Sequence, residues 1–215
     1  MEKSGRNRVA FLTFDDGPLR NTGVILDLLR QHRVKATFFV VGNPARYAIR
    51  LYRRMVREGH AIGNHSFTHD YRLIYRSVDD YVRDFRRLES FLVRVTGKRP
   101  APILRFPGGT SNRVSRKYGG RRLMPLLVKR MREAGYRHYD WNVDSDDAEK
   151  PPPTAGTIVR KVLEGSRFKR RAVILFHDFN QTSLEALPAV IQGLKRNGFT
   201  FCTLSKVSFR CQFLP

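Results

Sequence analysis

The order of apolar runs and helical patterns limits the fold of this chain more than any other feature. Short runs rich in apolar and β-branched residues alternate with longer segments of helical periodicity. The apolar runs cover residues 9–14, 36–41, 61–63, 102–106, 136–141, 172–176 and 200–203. Such alternation predicts a parallel sheet, and about seven repeats in one domain favour an α/β barrel.

Helix start and stop signals support the segments between the runs. The predicted helices lie within residues 21–32, 44–59, 77–97, 122–135 and 183–198. Ser77 is followed three residues later by an acid, which is an N-terminal capping pattern, and Gly59 and Gly97 are typical helix terminators. We expect Pro125 and Pro188 either to kink their helices or to lie near a helix start.

The bulk composition allows one domain and leaves the partner open. With 215 residues and 41% hydrophobic content, the chain can bury one sizeable core. The net charge of +22 fits either an anionic partner or a solvated basic surface. No zinc-finger or RNP-type pattern indicates nucleic-acid recognition, and no apolar run approaches the ~18 residues of a membrane span.

Two further points remain open at this level. Cys202 and Cys211 can form one disulfide or remain two free thiols. The N-terminal residues MEKSGRNR contain no apolar signal core, so a cytosolic protein and a catalytic segment of a longer exported chain are both compatible with the sequence.

Polar residues that follow the predicted strands are the candidates for function. In a parallel α/β fold, sites form at the carboxyl ends of the strands. Asp15 and Asp16 follow the first run directly and precede the Gly17-Pro18 turn, which allows both carboxylates to face one pocket. Turn or helix-capping aspartates are the simpler alternative.

The third run leads to two histidines four residues apart, His65 and His69. On a helical turn this spacing places both imidazoles on one face. An HxxxH pair alone is often coincidental, but an aspartate after a neighbouring strand completes a set of two imidazoles and one carboxylate. That set leaves a coordination position open, which is typical of a catalytic metal site.

The later strands also end in polar or special residues. Arg105 precedes Pro107-Gly108-Gly109 and is either a carboxylate partner or a solvated arginine, while the glycines permit close backbone approach to an oxyanion. Trp141 is followed by an acidic stretch that includes Asp144, Asp146 and Asp147, and His177 directly follows the sixth run. The remaining histidines are interpreted as surface or packing residues: His32, His60 and His138.

Five ordered segments resemble the motifs of polysaccharide deacetylases, the NodB-homology domain of carbohydrate esterase family 4. They are TFDDGP (13–18), HSFTH (65–69), RFPG (105–108), WNVDSDD (141–147) and LFHD (175–178). The resemblance spans about residues 8–205, which we expect to be the catalytic domain, with an extension at 1–7 and a tail at 206–215. It implies a single-domain, distorted (β/α) barrel and metal-dependent removal of acetyl groups from sugars.

The resemblance also implies a role for each matching residue. The metal ligands would be Asp16, His65 and His69. The catalytic set would be Asp15 as general base, His177 as general acid, Arg105 holding Asp15 and Asp147 paired with His177. Gly108 would offer the oxyanion N–H, and Trp141 and Leu175 would line the pocket for the acetyl methyl. The sequence departs from the family pattern at Gly108, where an aromatic residue is more usual, and at Ala148, where tryptophan is common.

The expected function is hydrolysis of the N-acetyl group of N-acetylglucosamine, with peptidoglycan as the substrate. Alternatives are a chitooligosaccharide deacetylase, an acetylxylan O-esterase, or a non-catalytic domain that binds an anionic polymer. Zinc fits the ligands, and cobalt, nickel or manganese could replace it. We expect a monomer whose partner is a glycan, without nucleic acid or membrane span, acting outside the cytoplasm as a segment of a longer secreted or wall-associated protein.

Overall fold

Eight parallel strands form one curled sheet in the computed structural model, which describes residues 8–214. The strands are β1 (Arg8–Asp15), β2 (Thr37–Val40), β3 (Ala61–Asn64), β4 (Ile103–Leu104), β5 (Arg137–His138), β6 (Val143–Asp144), β7 (Arg171–His177) and β8 (Phe199–Phe201). The predicted extension at 1–7 lies outside the described residues. The expected tail lies within them up to residue 214 and contains neither helix nor strand there.

The strand order confirms a parallel α/β barrel that is incompletely closed. Seven strands follow the path β5-β4-β3-β2-β1-β7-β6, and β8 pairs separately with the beginning of β1. Within residues 8–214, no ladder joins β6 back to β5, so the sheet is a half-barrel. All expected strands are present, and β6 is additional. With two residues, it is too short to produce a recognisable apolar run.

Helices cover the outside of the sheet. They are α1 (Thr22–Gln31), α2 (Arg46–Arg57), α3 (Tyr71–Ile74), α4 (Val78–Thr96), α5 (Arg113–Gly119), α6 (Leu123–Glu133), α7 (Ala155–Ser166) and α8 (Gln181–Arg196). The sequence predicted α1, α2, α4, α6 and α8. It missed α3 and α5, which are short, and α7, which begins after a proline-rich loop. In described residues, no helix combines the length and apolarity needed to cross a membrane.

The predicted helix ends are confirmed in detail. The Ser77 hydroxyl accepts a hydrogen bond from the Asp80 N–H at 3.1 Å, which caps α4. Gly97 ends this helix in the left-handed region at φ 70°. Pro125 lies in the first turn of α6, where proline is tolerated, whereas Pro188 is inside α8.

The core is centred on three stacked phenylalanines from neighbouring strands. Phe14 on β1 lies 5.3 Å from Phe38 on β2 and 5.6 Å from Phe176 on β7, ring centroid to centroid. All three are buried, and burial of each side chain contributes about 1.5–3 kcal/mol. The stack fixes β1 between its neighbours directly below the ends of the strands, so the residues that follow are held in defined positions.

The strand register brings the candidate residues to the same end of the sheet. Asp15 is the last residue of β1 and pairs with Phe39 on β2 and with His177 on β7. Neighbouring strands are about 4.8 Å apart. The general base and general acid implied by the family resemblance therefore occupy the same level of adjacent strands.

Cys202 and Cys211 are both free thiols, the first exposed and the second buried.

Candidate active site and metal centre

Two consecutive carboxylates face one pocket because the backbone turns between them. Asp15 ends β1 in an extended conformation, and Asp16 has a left-handed φ of 72°. In a continuous strand, neighbouring side chains would point to opposite faces. The left-handed residue, a conformation that aspartate tolerates better than most, brings Asp16 round to the same side.

Asp16, His65 and His69 form a three-donor cluster. The Asp16 Oδ1 atom lies 3.4 Å from His65 Nε2 and 3.2 Å from His69 Nε2. One donor atom from each residue falls within 4.8 Å of the others. Asp16 Oδ1 is buried and has no hydrogen-bond partner within the described chain. A buried, unpartnered carboxylate oxygen beside two imidazole nitrogens fits a divalent cation such as zinc.

The two histidines meet through a turn and not through a helix, so the predicted helical face was wrong. Residues 65–70 form no helix, and Ser66 and His69 have φ values of 70° and 53°. The Asn64 side chain accepts from the Ser66 N–H at 2.9 Å, and the Ser66 hydroxyl accepts from the His69 N–H at 3.1 Å. These bonds fold the loop so that the imidazole centroids lie 5.1 Å apart.

The orientation of His65 is fixed from behind. Its Nδ1 atom lies 2.7 Å from the backbone carbonyl oxygen of Arg105. When Nδ1 carries the proton and donates to this carbonyl, Nε2 presents its lone pair to the cluster. A backbone partner on the second ring nitrogen is the usual arrangement for a metal-binding histidine.

Arg105 is fully buried, and it contacts residues on β1, on β2 and directly after β5. Its guanidinium donates to Asp15 Oδ1 (2.8 Å), Thr13 Oγ1 (2.8 Å) and the carbonyl oxygens of Tyr139 (2.9 Å) and Asp140 (2.9 Å). The ring of Phe39 lies 4.4 Å from the guanidinium carbon. The sequence left a solvated arginine open as an alternative, and this burial excludes it. Because its donors are engaged, Arg105 holds Asp15 in one orientation.

His177 and Asp147 form a second pair on the other side of Asp15. His177 Nδ1 lies 2.8 Å from Asp147 Oδ1, while Asp147 Oδ2 accepts from the His177 N–H at 2.8 Å and from the Ser183 hydroxyl at 2.7 Å. Burial alone would lower the pKa of His177. The hydrogen bond and charge of Asp147, with the charges of Asp15 and Asp16, instead raise this pKa to about 9.

The surroundings shift the pKa values of Asp16, His65 and His69 in different directions. Burial of Asp16 would raise its pKa, but His65, His69 and His177 outweigh this effect and hold the pKa well below its usual range. The pKa of His65 is raised because the neighbouring aspartates overcome the opposing effect of burial. The pKa of His69 is lowered by burial and by the adjacent His65. The carboxylate of Asp16 is therefore ionised at neutral pH.

The three residues expected at the substrate lie around this group. Leu175 is buried on β7, two residues before His177. The indole N–H of Trp141 donates to Asp144 Oδ2 at 2.9 Å, and its ring lies 5.6 Å from the Arg105 guanidinium carbon. Gly108 is exposed with a φ of 76°, and a Cβ there would lie 3.1 Å from the Tyr71 hydroxyl.

Two buried aspartates support the site and were not predicted as functional. Asp140 accepts from the Thr110 N–H at 2.8 Å and from the Phe213 N–H at 2.7 Å, which ties the loop after β4 to the C-terminal segment. Asp178 lies beneath Gly17 and accepts from the Thr22 hydroxyl. Burial raises the pKa of Asp178 to about 7. The position of Asp178 directly after His177 was the one available signal.

Comparison with known proteins adds sequence and structural relatives. The sequence profile described as polysaccharide deacetylase matches residues 2–124. A peptidoglycan-N-acetylglucosamine deacetylase of Bacillus cereus is 35% identical over 207 residues, which cover 92% of this chain and 70% of that protein. The peptidoglycan-N-acetylglucosamine deacetylase PgdA of Listeria monocytogenes is 30% identical over 95% of this chain, which spans only 40% of that protein.

A solved structure supports the same relationship. The catalytic domain of peptidoglycan N-acetylglucosamine deacetylase from Eubacterium rectale superposes with a TM-score of 0.91 at 35% sequence identity. The alignment covers 96% of this chain and 92% of that domain. The similarity therefore extends over the sheet and over every strand end that carries a candidate residue.

Proposed function

The chain belongs to the polysaccharide deacetylase family, and from this premise we propose that it hydrolyses the N-acetyl group of N-acetylglucosamine in peptidoglycan with the help of one divalent metal ion. The named relatives act on peptidoglycan N-acetylglucosamine. The single observation that carries the proposal is the arrangement of Asp16, His65 and His69 beside two separate proton-transfer groups, Asp15 and His177.

The proposed metal site uses Asp16, His65 and His69, with zinc favoured by the two imidazole donors and cobalt, nickel or manganese as alternatives. When bound, the ion would polarise the acetyl carbonyl and make a water molecule easier to deprotonate. The protein's own contribution is to hold these donors on rigid supports. The Arg105 carbonyl orients His65, and the turn at Ser66 positions His69.

Proton transfer is assigned to the two groups that have their own partners. Asp15 keeps Oδ1 on Arg105, while its Oδ2 lies 3.6 Å from His65 Nε2 and faces the cluster. We assign Asp15 to accept the proton of the attacking water. His177, with a pKa of about 9, is an imidazolium at neutral pH and donates a proton to the departing amine. Each transfer typically contributes about 10²–10⁴-fold to the rate.

The remaining assignments concern the acetyl group itself. We propose that the Gly108 N–H stabilises the developing oxyanion and that Leu175 and Trp141 enclose the methyl group. In residues 8–214, no backbone carbonyl accepts from the Gly108 N–H, and Gly108 is exposed. A backbone N–H aimed at a developing oxyanion is worth several kcal/mol in other hydrolases.

The proposed substrate also indicates where the protein works. Peptidoglycan lies outside the cytoplasm, so we propose an extracytoplasmic, wall-associated role with the glycan as the partner and a monomer as the active unit. The alternative enzymatic functions, a chitooligosaccharide deacetylase and an acetylxylan esterase, share the same residues and differ in the substrate that supports turnover.

The test combines metal content with acetate release. Purified protein loaded with zinc should release acetate from peptidoglycan fragments, and mass spectrometry should locate each new free amine on N-acetylglucosamine. Asp16→Ala should lose zinc and activity together. Asp15→Asn should retain zinc while turnover falls at least ~100-fold. Asp79→Asn, an exposed acid on α4, is the matched control and should change neither quantity.

Three outcomes would contradict the proposal. Full turnover by Asp15→Asn would exclude Asp15 as the base. Undiminished activity after complete removal of bound metal would exclude metal dependence. Acetate release from acetylxylan without release from any N-acetylated glycan would identify an O-esterase.

A further inference from the structure

A groove lined by arginines lies beside the active-site turn. Its volume is about 810 Å³, and it runs along α2 next to the beginning of α1. We call it the arginine groove, and its basic residues are Arg20, Arg50, Arg53, Arg54 and Arg57. Tyr47 and Leu51 complete its surface, and no carboxylate from residues 8–214 lines it.

Most of the positive charge in the groove lacks a partner in the described chain. Within residues 8–214, Arg54 is the groove arginine that forms ion pairs, with Asp27 at 2.8 Å and Glu58 at 2.5 Å. It also donates to the Gly23 carbonyl at 3.1 Å, so its guanidinium is fixed between α1 and α2. The other four groove arginines are exposed, and of these Arg53 donates to the Val95 carbonyl oxygen at 2.7 Å.

This concentration of charge is unfavourable for the isolated helix. Arg50 and Arg54, like Arg53 and Arg57, are four residues apart on one helix, where like charges repel. The helix contains no acidic residue to compensate. A different basic surface shows the usual arrangement, since Arg76 and Arg83 both pair with Asp80. The arginine groove therefore differs from the surface around Asp80 in the number of unpaired positive charges that it brings together.

One end of the groove, at Arg20 and Tyr47, is linked to the turn that follows Asp16. Arg20 is four residues from Asp16, a distance that an extended chain spans in at most ~14 Å. The Asn43 side chain donates to the Pro18 carbonyl at 3.1 Å and to the Tyr47 hydroxyl at 3.0 Å. This amide ties the turn after Asp16 to the groove wall. An anionic group on the substrate molecule can therefore reach the arginines while its acetamide is at the cluster.

We propose that the arginine groove binds the carboxylates of the peptide stems attached to the glycan substrate, an inference that rests on the proposed function. Guanidinium groups recognise carboxylates by paired hydrogen bonds. Tyr47 and Leu51 provide apolar contact for the short side chains of a stem peptide. Because the charges are exposed, the contribution is to substrate association and depends on ionic strength, with little effect on the chemical step.

The test compares substrates with and without stem carboxylates. The variant Arg20→Gln/Arg50→Gln/Arg57→Gln removes three of the four exposed charges and retains Arg54 and Arg53, which donates to the Val95 carbonyl oxygen. The control Arg121→Gln/Arg130→Gln/Arg132→Gln makes the same charge change around α6, which packs against α4 and α5. The substrates are a stem-bearing peptidoglycan fragment, the same glycan after enzymatic removal of its stems, and a neutral N-acetylglucosamine oligomer. Circular dichroism checks the fold of each variant.

The groove variant should raise KM for the stem-bearing fragment about tenfold, with kcat unchanged. Its KM for the stem-free glycan and the neutral oligomer should match that of the wild type. Added salt should raise the wild-type KM for the stem-bearing fragment and should have little effect on that of the groove variant. The control variant should behave as the wild type on all three substrates.

Three results would overturn the assignment. An unchanged KM for the stem-bearing fragment would show that the groove does not contact the stems. An equal KM rise for the neutral oligomer or with the control variant would indicate a general effect. Loss of binding to poly(glycerol phosphate) with an unchanged KM for stem-bearing glycan would assign the groove to a phosphate polymer.

The proposed function and the assignment of the arginine groove can be refuted separately. Absence of turnover on every N-acetylated glycan would refute the proposed function. Calorimetric binding of the stem-bearing fragment to zinc-free wild type and groove variant would still test the groove. A weaker affinity of the variant in that measurement supports the assignment, and equal affinities overturn it.

Discussion

The pairing of His177 with Asp147 allows a quantitative prediction for Asp147→Asn. The change removes the negative charge next to His177 Nδ1 and keeps an oxygen that can accept from this nitrogen. Two unit charges about 4 Å apart interact with about 4 kcal/mol at an effective dielectric constant of 20. The His177 side chain is 16% exposed, so some of this interaction is screened, and we expect a loss of about 3 kcal/mol.

A loss of about 3 kcal/mol lowers a pKa by about two, so the pKa of His177 should fall from about 9 to about 7. The imidazolium is the proton-donating form, and it persists at pH values below the pKa. At pH 8 the protonated fraction should fall from roughly nine-tenths to roughly one-tenth. The variant should therefore be about tenfold slower than the wild type at pH 8 and should approach it as the pH is lowered toward 6.

Two measurements check this prediction. NMR titration of the histidine ring signals of the zinc-free protein gives the pKa directly, and the basic limb of the kcat–pH profile gives it in the active enzyme. Ser183→Ala is the matched control, because it removes one hydrogen bond to Asp147 and keeps the charge. A basic limb that stays at the same pH in Asp147→Asn would refute the assignment of His177 as the proton donor.

Three further predictions concern stability. Arg105→Gln should lower the free energy of unfolding by about 3–5 kcal/mol in urea denaturation, because the buried Asp15 carboxylate loses its partner; a change below 1 kcal/mol would contradict this. The raised pKa of Asp178 contributes a loss of stability as pH rises from about 4 to 7, so Asp178→Asn should gain up to about 4 kcal/mol relative to the zinc-free wild type over this range, and parallel pH–stability curves would exclude this. Zinc at 100 times its Kd should stabilise the wild type by about 2.7 kcal/mol, whereas His69→Ala should show no comparable shift in Tm.

The sequence predicted the sheet because long strands leave a clear signal. β1 and β7 are nearly continuous apolar runs, as expected for strands buried on both faces. β6 has only two residues and α3 has four, so neither contains a full period of its pattern. Their positions follow from tertiary contacts and could not be predicted from local periodicity.

The meeting of the candidate residues at one edge of the sheet could be predicted from the sequence, but the contacts that hold them there could not. Parallel strands bring their carboxyl ends together, so Asp15 and His177 could be expected at one edge of the sheet. The left-handed φ of His69 has no local signature, and the spacing of His65 and His69 was interpreted through the geometry of a helical turn. The contact of Asp178 with Thr22 joins residues 156 positions apart, and such packing is not visible in a sequence.

The family resemblance implied that Arg105 holds Asp15, whereas the residue pattern alone did not predict this contact. The pattern alone favoured a solvated arginine, because a single arginine before a turn carries no indication of burial. The structure shows why the buried position is tolerated. Hydrogen bonds to two side chains and two carbonyl groups satisfy the guanidinium, so burial leaves little unpaired polarity.

The alignment of Asp15 with His177 across β1 and β7 has a consequence for how the enzyme can diversify. Their separation is set by the spacing of hydrogen-bonded strands, and no loop has to adopt a particular length to maintain it. Substitution of Ala148, which leaves Asp147 in place, can therefore reshape the proposed sugar-binding surface without changing the distance between Asp15 and His177. Loop exchange between relatives that retains Asp147 and Gly108 should therefore transfer glycan preference and leave the proposed base and acid at the same separation.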